Sequence, residues 1–168
     1  MKKILLLPCL FLTLTVFAQN NSNSTPKKHE LKLNVGYTLA ELPEITYEYI
    51  LSDESAIGTS VTFGFNEDDL KFALTPYYRF YFGQKKAAGF FAEAFSMLNV
   101  VEDEIYYLGA SKVTNTETGF ALGIAIGGKW ITNNNWLFEL YFGVGRNIIN
   151  NESIDGVPRA GLTLGKRF

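Results

Sequence analysis

The chain has 168 residues, with 15 basic side chains against 17 acidic and a formal charge of −2. That balance argues against a nucleic-acid partner, which needs a concentrated basic face. One cysteine and one histidine leave no disulfide framework, no zinc ligand set and no histidine base for acyl transfer, so no cofactor and no metal are expected.

Lys2 and Lys3 precede the apolar run Ile4 to Phe17, and Ala18 follows, which is the layout of a secretory signal peptide over residues 1–18. Its apolar core is too short and too early to be a membrane anchor. Cys9 suggests a lipoprotein only weakly, because Pro8 precedes it and four apolar residues separate that proline from Lys3. Without Lys2 and Lys3 the balance is 13 basic against 17 acidic residues, a charge of −4. Residues 19–29 are polar and unpatterned and read as a flexible linker, with His29 as a solvated member of it.

From Glu30 onward eight strand-like runs follow one another, at 30–40, 44–52, 55–65, 69–82, 88–99, 118–131, 135–147 and 158–168. Each is long enough to cross a bilayer at a tilt, which takes about 9 to 11 residues. The alternation within them has an inverted look for a soluble protein. Phe120, Leu122, Ile124 and Ile126 share one face and Gly119, Ala121, Gly123, Ala125 and Gly127 the other. Trp136, Phe138, Leu140, Phe142 and Val144 likewise oppose Leu137, Glu139, Tyr141, Gly143 and Gly145. Bulky apolar groups on one face and small or polar groups on the other suit a membrane barrel with a narrow filled lumen. The predicted fold is therefore all-β, an eight-stranded antiparallel up-and-down transmembrane β-barrel over residues 30–168. Pro76 inside the fourth run calls for a local irregularity such as a bulge. In the fifth run the rule that charge avoids lipid turns Glu93 inward together with Phe91, Phe95 and Met97.

The last run, A-G-L-T-L-G-K-R-F, resembles the terminal strand of Gram-negative outer-membrane barrels. That resemblance implies that Leu162, Leu164 and Phe168 belong to the signal read by the barrel insertion machinery. The segments I-T-Y-E-Y-I-L-S at 45–52, L-T-P-Y-Y-R-F-Y-F-G at 74–83 and G-G-K-W at 127–130 extend the likeness. Residues 30–168 resemble the small outer-membrane barrels of OmpA/OmpX-like architecture, in particular a family known only as domains of unknown function. The resemblance implies an outer-membrane location and a monomer facing lipid, and carries no activity with it. With the N-terminus in the periplasm, 52–55, 83–87 and 132–134 become periplasmic turns, and 41–43, 66–68, 100–117 and 148–157 face outside.

Two groups of residues could carry chemistry. Glu48, Arg79, Glu93 and Glu139 fall at one height on the lumenal face, flanked by Lys32, Lys129 and Arg167. Packed into so narrow an interior they must pair, so a salt-bridge network filling the lumen outweighs an ion or proton path through it. Glu93 and Glu139 as an acid and base pair would imply a membrane-embedded enzyme, but lumen filling explains the same pair without a pocket. The loop at 100–117 places Glu102, Asp103 and Glu104 beside Ile105, Tyr106, Tyr107 and Leu108, an acidic and aromatic patch that could meet a surface partner or simply pack at the membrane interface. The preferred reading is a non-enzymatic outer-membrane barrel with an envelope or surface-interaction role. The alternative is a soluble periplasmic lipocalin-like barrel binding an apolar ligand, which would turn Phe120, Leu122, Ile124 and Ile126 inward.

Overall fold

The computed structural model describes residues 27–65, 70–105, 113–149 and 156–168. The expected leader at 1–18, residues 19–26 of the linker at 19–29, the turn at 66–68 and Tyr106 to Leu108 lie outside the described residues. Eight antiparallel strands close on themselves in sequence order: β1 (His29–Asn34), β2 (Glu44–Ile50), β3 (Ser55–Phe63), β4 (Leu70–Tyr81), β5 (Gly89–Ile105), β6 (Val113–Ile131), β7 (Trp136–Ile149) and β8 (Gly156–Arg167). Each strand pairs with the next, and β1 pairs with β8 from Glu30 with Arg167 to Asn34 with Thr163. One short helix, α1 (Val35–Leu39), joins β1 to β2.

The strand period of two decides what lies inside. Ile124 is 68% exposed and Phe142 65%, whereas Ala125 and Tyr141 on the opposite face are buried. Leu122, Ile126, Leu140 and Val144 also point outward, which a soluble barrel holding an apolar ligand would not permit. Glu93 is buried together with Phe91, Phe95 and Met97, while Phe90 and Leu98 are exposed, as the charge rule predicts for β5.

Four expectations need correction. The first strand stops at Asn34 rather than at residue 40, and the chain turns into α1, because the buried Asn34 carboxamide accepts from the Tyr37 amide at 3.2 Å and caps the helix. β5 and β6 run well past their expected ends at 99 and 118, pairing as far as Ile105 with Val113, so much of the expected loop at 100–117 is strand. Pro76 lies in regular register opposite Thr59; the irregularity in β4 falls between Leu70 and Phe72 instead. Even-numbered amides of β4 point toward β5, as Phe82 shows by donating to Phe90, so Pro76 interrupts rungs of that ladder without shifting it. His29, finally, is the first residue of β1, stacked on Phe168 with ring centroids 6.0 Å apart.

Candidate functional site: the charged lumen

Strand register builds the lumenal cluster. Arg79 of β4 lies directly opposite Glu93 of β5, and Lys129 of β6 opposite Glu139 of β7. Glu30 of β1 faces Glu48 of β2, a like-charge pair that needs cations from other strands. They arrive across the lumen. The Lys32 ammonium donates to Glu48 at 2.6 Å and to Glu139 at 2.7 Å. The Lys129 ammonium donates to Glu30 at 2.7 Å and to Glu48 at 2.5 Å. The Arg79 guanidinium donates through Nε to Glu93 at 2.6 Å and through Nη1 to Glu48 at 3.0 Å and Glu139 at 2.9 Å. All seven residues singled out from sequence point inward, and none is more than 6% exposed.

Glu48 is the hub. Besides three cations it accepts from the Tyr77 and Tyr81 hydroxyls, both at 2.8 Å. Aromatic faces complete the packing, with the Arg79 guanidinium 4.2 Å from the centre of the Phe91 ring and 4.6 Å from that of Tyr77. The tyrosines fit because glycines stand opposite them. A Cβ added at Gly161 would lie 2.2 Å from the Tyr141 ring, and one at Gly58 2.4 Å from the Tyr77 ring.

Sequence reasoning missed three charged members. Glu30 receives Arg167 Nε at 2.7 Å, and Arg159 donates to Glu93 at 2.7 Å and lies 3.5 Å from Glu44. The signal was available in the alternation itself, since Arg159 shares the parity of Arg167, Glu44 that of Glu48 and Glu30 that of Lys32. With them the buried charges among the described residues balance: Glu30, Glu44, Glu48, Glu93 and Glu139 against Lys32, Arg79, Lys129, Arg159 and Arg167.

Glu30, Glu48 and Glu139 bring carboxylate oxygens within 4.8 Å of one another, close enough to share a metal ion. Both lysine ammonium groups already contact all three carboxylates, at 2.5 to 3.3 Å, and take the position that a cation would need. At the end of the barrel where β1 begins and β8 ends, the turn between β4 and β5 folds across the mouth. Ala87 and Ala88 are buried there, and the Arg167 guanidinium donates to the carbonyls of Lys86 and Ala87 at 3.0 and 2.8 Å.

The second candidate region is divided by the structure. Glu102, Asp103, Glu104 and Ile105 belong to β5, where the Glu102 carboxylate meets Lys71 at 3.4 Å. The inferred insertion residues line the outer wall, with Leu162, Leu164 and Phe168 exposed along one face of β8 and beyond its end.

A closed eight-stranded barrel with an apolar exterior and a charged, packed interior has the architecture of small outer-membrane barrel domains. The N-terminal β-barrel domain of Pseudomonas aeruginosa OprF has a similar fold, with a TM-score of 0.53 and 16% identity over 84% of this chain and 96% of that one. The chain belongs to the family described as Protein of unknown function (DUF3575), which matches residues 5–158. No curated protein matches it.

Proposed function

We propose that the protein is a monomeric, non-enzymatic barrel of the Gram-negative outer membrane, exported by a cleaved leader and inserted by the barrel assembly machinery, with a structural or surface-interaction role in the envelope. The observation that carries this reading is the pairing of an outward apolar wall with an interior that, among the described residues, holds five acids and five bases, each acid bonded to a base. Lipid is the solvent that favours the first, and a lumen closed to ions suits the second. The end carrying His29 and Phe168 faces the periplasm, and the β5 to β6 hairpin stands outside.

Catalysis has little support in the same geometry. Glu93 and Glu139, the one acid and base pair that the sequence offered, are each tied to Arg79, and neither is more than 2% exposed. Fractionation of cells making the full chain should place it with the outer membrane, and its gel mobility should change on boiling. Purified protein should give no steady conductance in planar bilayers, and neither should the Arg79→Ala variant. A soluble periplasmic protein would overturn the location, and wild-type ion flow would overturn the closed lumen.

A further inference from the structure

The seam between β1 and β8 is incomplete. β8 pairs with β7 along its whole length, up to Gly156, but with β1 only from Thr163 to Arg167. The rest of its edge has no strand beside it, because the chain leaves β1 at Asn34 and coils into α1. Side chains stand in for the missing main chain. Asn34 Nδ2 donates to the Ala160 carbonyl at 3.1 Å, Asn34 Oδ1 accepts from the Leu162 amide at 3.3 Å, and the Tyr37 hydroxyl accepts from the Ala160 amide at 3.2 Å. Even-numbered amides of β8 face this seam, and the next in that series is Pro158, which has no N–H to satisfy.

The occupant of this place is poorly suited to be a helix. Val35, Gly36, Tyr37 and Thr38 all rank low in helix propensity, and five residues are too few for a helix to hold on its own. The same residues continue the strand alternation of β1, with Val35, Tyr37 and Leu39 in phase with Leu31 and Leu33. Continuing the observed β1 and β8 register would set Val35 opposite Leu162 and Tyr37 opposite Ala160. Main-chain bonds would then replace the three side-chain bonds, and Pro158 would end the ladder.

We infer that Val35–Leu39 is a convertible segment of the barrel wall, a helix in one state and an extension of β1 in the other, so that the seam above Asn34 is closed alternately by side chains and by a strand ladder. Both states keep the Ala160 and Leu162 amides bonded, which a membrane setting demands. This rests on the barrel fold and not on the proposed envelope role.

Cysteine pairs distinguish the two states in the full chain carrying Cys9→Ser, assembled in membranes and oxidised. A Cβ at Gly36 would lie 3.6 Å from the Leu162 Cβ, within the span of a disulfide, so Gly36→Cys with Leu162→Cys reports the helix. Val35→Cys with Leu162→Cys reports the strand, in which the continued register sets the two side chains opposite each other on one face. Leu33→Cys with Leu164→Cys, paired in the structure, is the control for assembly and oxidant access. The inference expects both test pairs to crosslink in most chains that show the heat-modifiable fold, the slower one within tenfold of the faster. Crosslinking of only one test pair, at the rate of the control, would overturn it. Should the Val35 variant fail to assemble, Tyr37→Cys with Ala160→Cys tests the strand state on the same terms.

Discussion

Arg79 touches three carboxylates and three aromatic faces, and without it the buried charges of the described residues no longer balance. Arg79→Ala should therefore cost about 3 to 5 kcal/mol, the range for removing one member of a buried ionic group and leaving an excess buried charge; urea unfolding from lipid vesicles, followed by the loss of heat-modifiable mobility, would measure it. Gly161→Ala tests the fit rather than the charge. The added methyl would meet the Tyr141 ring, whose hydroxyl donates to Glu44 at 3.0 Å and so cannot simply swing aside. A loss of about 1 to 3 kcal/mol is expected, as for overpacking elsewhere, and it should shrink in a Tyr141→Ala background. At this level the sequence was largely legible. Alternation placed Glu48, Arg79, Glu93 and Glu139 inward and together, because parity alone sets the face of a strand. It did not give partners, since Lys32 meets Glu139 from 107 positions away and only barrel closure makes them neighbours.

Strand ends were harder to read than strand faces. The alternation from Leu31 to Leu39 favours a strand, but it cannot register that the Asn34 side chain bonds simultaneously to the Tyr37 amide, the Glu44 carboxylate, the Ala160 carbonyl and the Leu162 amide. Those partners come from three elements, and a one-dimensional pattern holds no trace of them. Asn34→Ala should cost about 1 to 3 kcal/mol, the penalty for stranding buried polar groups, and should speed hydrogen exchange at Ala160 and Leu162 while leaving the β6 and β7 amides unchanged. Equal acceleration in β6 and β7 would mean that Asn34 supports the barrel generally and has no special place at the seam. The long β5 and β6 escaped detection for a different reason. Glu102 to Glu104 are polar and look like loop, yet their backbone pairs regularly with Thr114 to Thr116, beyond the region where outward residues must be greasy.

Closure depends on joining the first strand to the last, and Phe168 stands at that joint. His29 and Phe168 exchange main-chain hydrogen bonds at 3.1 and 2.8 Å and stack their rings, so the last residue latches β1 to the end of β8. The proposed route of insertion assigns the same residue a second task, recognition by assembly machinery before the barrel exists. The two tasks separate by environment. Removing Phe168 forfeits two hydrogen bonds and a ring contact at an exposed edge, about 1 to 3 kcal/mol in sum, which leaves most of the barrel's hydrogen-bonded wall intact. Refolding of the truncated chain into lipid vesicles, where no machinery acts, should then proceed to nearly the wild-type yield. The same truncation in cells should reduce the amount of heat-modifiable barrel in the outer membrane at least tenfold. Parallel losses in vesicles and cells would assign Phe168 to the latch alone, and Leu162 and Leu164 would then be ordinary lipid-facing wall.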